Sequence, residues 1–85
     1  MADGLEARVL AEIRRIFATD LEREEPIGPE HELLRDLHVD SLDAVVLAVG
    51  LENFLRVKLR DDDTADVVTV ADLVKRVALR AREST

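Results

Sequence analysis

Apolar side chains recur along the first part of the chain at intervals of three and four residues, the spacing of one face of an α-helix. Asp3 is a suitable N-cap, and Glu6 three residues later can complete a capping box. The pattern predicts an amphipathic helix from about Gly4 to about Thr19. Its expected buried stripe consists of Leu5, Val9, Ile13, Ile16 and Phe17.

A long connection follows, from Asp20 to Val39, interrupted by Pro26, Gly28 and Pro29. A connection of this length without regular structure often has a function. We expect it to be ordered, with one short helical turn near Glu32–Leu34, because it contains apolar residues that can anchor it across the helices. These anchors are Ile27, Leu33, Leu34 and Leu37.

The next predicted helix begins at Asp40 and Ser41 and runs to about Val57, with Asp40 as N-cap and Asp43 as its reciprocal partner. This helix is apolar nearly all round. A domain this small cannot bury a helix on every side, so we expect a partner to cover part of it. Its apolar residues are Leu42, Val45, Val46, Leu47, Ala48, Val49, Leu51, Phe54 and Leu55.

The remaining chain predicts one short and one longer helix. Asp61, Asp62 and Asp63 can open the short helix as solvated charges, because acids favour helix N-termini. Thr69 then resembles the N-cap of the last helix, with Asp72 at its third position. Residues expected to pack inward are Val67, Val68, Val70, Leu73, Val74, Val77 and Leu79. Lys75, Arg76, Arg80 and Arg82 are expected to complement the C-terminal dipole and to aid solubility.

These elements predict an all-α fold: a small four-helix bundle, with three main helices, one short helix and a long first loop. Residues 1–85 contain no internal repeat and no linker, so they form one predicted domain with an ordered core from about 4 to 82.

Charge and size then narrow the function. The chain has 85 residues, 19 acidic against 12 basic, and a net charge of −7. This balance disfavours nucleic acid and anionic lipid surfaces, and it suits basic patches on protein partners. A chain this short leaves little room for a catalytic cleft beside a stable core. We therefore expect a non-catalytic protein. The lack of cysteine and of an apolar stretch near the ~20 residues that span a bilayer predicts a cytoplasmic protein without membrane insertion, and we expect a monomer. No cysteine is present, and His31 and His38 lack the spacing of a metal site, so no metal is expected.

Ser41 is the residue with the clearest chemical potential. A serine in the first turn of a helix lies where backbone N–H groups are unpaired and the helix dipole is positive. A phosphodiester on that hydroxyl would lie in a favourable field.

The segment around Ser41 resembles the acyl carrier protein family, in which an Asp-Ser-Leu motif opens the second helix. Three further blocks with matching spacing extend the resemblance over most of the chain. They are Leu34-Arg35-Asp36-Leu37, Leu51-Glu52-Asn53-Phe54-Leu55 and Val68-Thr69-Val70-Ala71-Asp72-Leu73.

The resemblance implies that Ser41 receives 4′-phosphopantetheine from coenzyme A through a phosphopantetheinyl transferase. The arm then holds acyl groups as thioesters for acyl-loading, condensing and tailoring enzymes. Ser41 is thus an expected attachment point and not a catalytic nucleophile, and no catalytic residue is predicted. Partner enzymes are expected to recognise Asp40, Leu42, Asp43, Val45, Val46, Val49 and Glu52.

Two departures from the family pattern affect the expected pathway. His38 stands where many members have glycine, and Val46 and Phe54 stand where acids are common. Basic residues then follow the second helix, at Arg56, Lys58 and Arg60. Carriers of the fatty-acid type usually display a row of acids on the second helix, and this chain has fewer of them. The difference favours specialised lipid, polyketide or other natural-product assembly over fatty-acid synthesis. An aminoacyl or peptidyl carrier, and an unmodified helical interaction module, remain as alternatives.

Overall fold

The computed structural model describes residues 4–83, except for the side chains of residues 61 and 62. Its helices are α1 (Gly4–Thr19), α2 (Ser41–Leu55), α3 (Asp61–Ala65) and α4 (Val70–Glu83). Across residues 4–83, extended pairing is limited to one isolated antiparallel bridge between Glu32 and Thr69. The predicted all-α bundle with a long first loop is therefore confirmed. The predicted cap Asp3 lies outside the described residues.

The core lies where α1 packs against α2 and α4. It is aliphatic apart from Phe17, and the predicted stripes of α1 and α4 supply most of it. Ile27 and Leu37 add the loop to the core, as expected from their apolar character. The buried apolar side chains are Val9, Ile13, Ile16, Phe17, Ile27, Leu37, Leu47, Leu51, Val70, Leu73, Val74, Val77 and Ala78.

Gly50 sets the distance between α1 and α2. A Cβ atom at this position would lie 2.6 Å from Cδ1 of Ile16, which is fully buried. Glycine is otherwise costly in the middle of a helix. Here it lets the side chain of Ile16 reach the backbone of α2, so that Leu47 and Leu51 enter the core on the same face.

Hydrogen bonds order the long loop against the start of α4. Val70 N–H donates to the His31 carbonyl and Ala71 N–H donates to the Pro29 carbonyl, both at 2.9 Å. These carbonyls satisfy donors that have no partner within α4. The predicted capping box of α4 is present, because Asp72 N–H donates to Thr69 Oγ1 and Thr69 N–H donates to Asp72 Oδ2, both at 3.1 Å. The loop is therefore a fixed part of the fold.

Three expectations of burial are wrong. Leu34 is 75% exposed, Val68 is 52% exposed and Leu79 is 46% exposed. Leu33 N–H donates to the Val68 carbonyl at 2.9 Å, which holds the two segments side by side. Leu33 and Val67 pack against the core, and their neighbours Leu34 and Val68 are left outside it. Leu79 is two positions beyond Val77, which is about 200° around the helix.

Two boundaries also differ from the prediction. Helix α2 ends at Leu55 instead of Val57, because Arg56 adopts a left-handed conformation (φ 56°) and the N–H of Val57 turns back to the Glu52 carbonyl at 3.2 Å. The helical turn of the loop covers residues 33–37, where the N–H groups of Asp36 and Leu37 both donate to the Glu32 carbonyl.

The prediction that Asp63 is a solvated charge at the start of α3 is wrong. The carboxylate is buried and not solvated, with a side-chain exposure of 3%. Arg80 Nη2 lies 2.7 Å from Oδ1, and the N–H of Arg60 donates to Oδ2 at 2.8 Å. A buried carboxylate needs such partners because burial alone disfavours its charge. Arg80 thus binds α3 to α4, beyond its expected role in dipole complement and solubility.

This ion pair makes stability depend on acid pH. The Arg80 hydrogen bond, and then the Arg60 N–H, hold the pKa of Asp63 below its ordinary value of 3.8. A lowered folded-state pKa contributes stability that is present above the unfolded-state pKa and is lost as pH falls through the folded-state pKa. We expect the difference in unfolding free energy between wild type and Asp63→Asn to be constant from pH 7 to about 4. It should shrink below that, as measured by urea unfolding. A difference that stays constant to lower pH would contradict this assignment.

Candidate functional site

The start of α2 is shaped by a capping box. Asp43 N–H donates to Asp40 Oδ1 at 2.8 Å, and Asp40 N–H donates to Asp43 Oδ2 at 3.4 Å. Asp40 is in extended conformation, so the chain enters the helix abruptly at Ser41. This local arrangement was predicted from the spacing of the two acids.

Ser41 lies at the first helical position and is exposed. The capping box satisfies the N–H groups of Asp40 and Asp43. In the part of the chain that the structure describes, no hydrogen bond is found for the N–H groups of Ser41 and Leu42, which are at the positive end of the helix. The Ser41 hydroxyl is thus accessible, beside two backbone donors that can receive the oxygens of an attached phosphate.

Arg23 holds the segment that leads to Ser41. Its Nη2 lies 2.7 Å from Asp43 Oδ2, and its guanidinium also donates to the carbonyls of Leu37 and His38. The same guanidinium lies over the Phe17 ring, with Cζ 5.8 Å from the centroid. Arg23 therefore fixes the approach to α2 and offsets the negative charge of Asp43 near Ser41. Sequence reasoning missed this residue, because no local pattern relates positions 20 apart.

His38, which stands where many family members have glycine, has a backbone conformation that suits glycine. Its φ is 52°, in the left-handed region that glycine adopts freely and that other residues adopt at a cost. A glycine at this position would adopt it without strain. The bond from Arg23 to the His38 carbonyl helps to hold the turn.

An apolar cleft of about 470 Å³ opens beside Ser41, which lies on its lining. This volume is within the range of small-molecule pockets. The cleft lies between α2, the 33–37 turn, α3 and the first turn of α4. Its lining residues are Glu32, Leu33, Leu34, Arg35, Val39, Asp40, Ser41, Ala44, Leu47, Ala48, Leu59, Thr64, Val67, Val68 and Leu73.

Two alanines make room for the cleft along α2. Ala44 and Ala48, four residues apart, lie on the same helical face, with Leu47 beside them. Leu34 and Val68, which were expected in the core, line the cleft instead. The small residues at a four-residue interval are a sequence signal that could have indicated this side of α2.

A second face of α2 carries an exposed apolar stripe. Leu42, Val45 and Val49 are 70%, 57% and 47% exposed, at the three- and four-residue intervals of one face. Phe54, at 38% exposed, lies under the guanidinium of Arg8, whose Cζ is 5.7 Å from the ring centroid.

The other predicted recognition residues have roles inside the fold. Val46 is half-buried and packs against the core. Asp43 is bound by Arg23, and Glu52 Oε2 accepts the N–H of Leu59 at 2.7 Å. Asp40 is exposed at the cap. The structure thus brings Asp40, Leu42 and Asp43 together around Ser41, and Glu52 lies at the far end of the helix.

Two kinds of site are not found in residues 4–83. Among the side chains that the structure describes, histidines and carboxylates form no cluster that could hold a metal ion. None of the helices in residues 4–83 combines the length and apolar character needed to cross a membrane.

Comparison with known proteins shows the family to which this chain belongs. Residues 11–77 match the family model described as "Phosphopantetheine attachment site". Acyl carrier protein 3 of Ralstonia nicotianae is 43% identical over 67 residues, which cover 78% of this chain and 77% of that protein. An acyl carrier protein of Helicobacter pylori is 37% identical over 51 residues, which cover 60% of this chain and 65% of that protein.

The fold agrees with this relationship. The crystal structure of an acyl carrier protein from Thermotoga maritima superposes with a TM-score of 0.83 and covers 100% of both chains, at 19% identity. The exposed Ser41 and the free N–H groups beside it fit a phosphate-linked prosthetic group. The chain belongs to the phosphopantetheine attachment family, as a non-catalytic acyl carrier protein whose prosthetic group is 4′-phosphopantetheine.

Proposed function

We propose that Ser41 is the attachment point of the 4′-phosphopantetheine arm and that the arm presents acyl intermediates to partner biosynthetic enzymes. The observation that carries this proposal is the position of Ser41: an exposed hydroxyl at the N-terminus of α2, on the edge of an apolar cleft. When attached, the arm supplies a terminal thiol for thioester formation.

The chain's own residues prepare the attachment. Backbone N–H groups of Ser41 and Leu42 lie at the N-terminus of α2, where they could donate to a phosphate on Ser41, and Asp40 and Asp43 fix the start of the helix. Arg23 offsets the charge of Asp43, so that one of the two nearby carboxylates is neutralised by a direct ion pair. The site therefore tolerates an anion despite the acidic surroundings.

The cleft supports acyl cargo over aminoacyl or peptidyl cargo. Its α2 wall consists of Ala44, Leu47 and Ala48, with Leu73 beneath. Each methylene group that leaves water contributes about 0.8 kcal/mol before ordering costs. An ammonium or peptide group gains nothing from these apolar side chains and loses hydration against them.

The exposed stripe of α2 supports docking by apolar contact. Leu42, Val45 and Val49 are open to a partner, whereas the carboxylates of Asp43 and Glu52 already accept hydrogen bonds within the molecule. This balance favours enzymes of specialised polyketide, lipid or natural-product assembly over those of fatty-acid synthesis.

We further propose that a phosphopantetheinyl transferase is a partner of this protein. We also propose a monomeric state, a cytoplasmic location and one carrier domain over residues 1–85.

Loading tests the attachment point. Incubation with coenzyme A and a broad-specificity transferase should add the mass of one phosphopantetheine group to wild type and none to Ser41→Ala. Ser84, the other serine of the chain, provides the matched control, and Ser84→Ala should load as wild type does. Intact-protein mass spectrometry gives the result. A mass gain that persists in Ser41→Ala would contradict the proposal.

Filling the cleft tests the cargo. Ala48→Phe places a ring in the cleft, so the rise in Tm on octanoylation of the arm should be largely lost while loading at Ser41 continues. Ala11→Phe makes the same change at an exposed position of α1, away from the cleft, and should keep the rise in Tm. Thermal unfolding of the thiol and octanoyl forms provides the comparison. An equal rise in Ala48→Phe and Ala11→Phe would show that the cargo does not occupy the cleft.

A further inference from the structure

The walls of the cleft differ in how firmly they are held. On one side, α2 is fixed to α1 through Gly50 and Ile16, and through Leu47 and Leu51 in the core. On the other side is α3, which has only five residues. A helix of this length has little stability of its own, so its position depends on the contacts that fasten it.

Two ion pairs fasten α3 and its C-cap to α4. Asp63 is paired with Arg80 at 2.7 Å, with side-chain exposures of 3% and 30%. Asp66 is paired with Arg76 at 3.3 Å, with side-chain exposures of 72% and 37%. The exposed pair is expected to contribute little, because water screens it. The buried pair is directional and costly to break, since separation leaves a carboxylate without its partner.

The same short helix forms part of the cleft. Thr64 of α3 lines it, together with Leu59 before the helix and Val67 after it. Asp63 lies between these residues but does not line the cleft, and its carboxylate binds Arg80 of α4. A larger cargo that moves α3 away from α2 would strain the buried pair, because Arg80 belongs to α4.

We propose that the Asp63–Arg80 ion pair limits the length of acyl chain that the cleft admits, by holding α3 at a fixed distance from α2. Asp63 and Arg80 are positioning residues for cargo selection. The inference rests on the proposed acyl cargo of the arm at Ser41. Each further methylene that enters the cleft favours buried over exposed cargo by about fourfold, which corresponds to about 0.8 kcal/mol. The limit is reached where this gain no longer exceeds the cost of displacing α3.

The test compares wild type, Asp63→Asn and Asp66→Asn. Each is loaded at Ser41, confirmed by intact mass, and then converted to butyryl, octanoyl and dodecanoyl thioesters. The measured quantity is the rise in Tm of each acyl form over the thiol form, because cargo that binds only the folded state stabilises it. Asp63→Asn keeps an oxygen that can accept from the Arg60 N–H, and Arg80 retains Glu83 at 3.5 Å.

We expect the chain length with the largest rise in Tm to be longer in Asp63→Asn than in wild type, and unchanged in Asp66→Asn. A uniform loss of Tm in all forms of Asp63→Asn, with an unchanged chain-length profile, would show a purely structural role and overturn the inference. Absence of loading in wild type would overturn the proposed function and the inference together.

Arg80→Lys provides an independent test, and it decides the matter if Asp63→Asn fails to fold. It keeps the charge but loses the second guanidinium nitrogen and the fork geometry. The chain length that gives the largest rise in Tm should be longer in Arg80→Lys than in wild type. If Asp63→Asn fails to fold and Arg80→Lys shows the same dependence of Tm on acyl-chain length as wild type, the inference is overturned.

Discussion

The close contact between Gly50 of α2 and Ile16 of α1 is the constraint on which the arrangement of this molecule depends. It brings two helices together along a narrow line, and Leu47 and Leu51 complete the same contact within the core. A helix that is apolar nearly all round is thereby covered on one face only. The face with Ala44 and Ala48 is left for the cleft, and the face with Leu42, Val45 and Val49 is left for solvent or a partner.

The electrostatics at the start of α2 follow from local geometry combined with one distant residue. Asp40 and Asp43 form the cap, which would place two carboxylates beside any phosphate on Ser41. Arg23 reaches Asp43 across 20 residues of sequence and also binds the carbonyls of the preceding turn. Neutralisation and positioning are therefore performed by the same guanidinium. The cap fixes the helix, and the arginine makes the site suitable for an anion.

Local signals predicted the helices, their caps and the position of Ser41, because these features depend on residues within one or two turns of each other. Features that require distant partners were missed. The burial of Asp63 depends on Arg80, 17 residues away, and the isolated sequence of three acids has the appearance of a solvated helix start. Leu34 and Val68 were assigned to the core because both are apolar, but their neighbours Leu33 and Val67 take the places against the core, and Leu34 and Val68 line the cleft. The sequence shows which residues are apolar, whereas the division of these residues between core and cleft depends on the tertiary structure.

The cleft between α2 and α3 is the proposed position of an acyl chain on the arm at Ser41. The most direct test is isotope-filtered NOE spectroscopy of the octanoylated protein, with the label in the octanoyl chain. If the acyl chain lies in the cleft, NOEs are expected from the chain to the methyl groups of Ala44, Leu47 and Val67, which line the cleft. NOEs only to Val45 and Val49 on the outer face of α2, or none to the protein, would contradict this position.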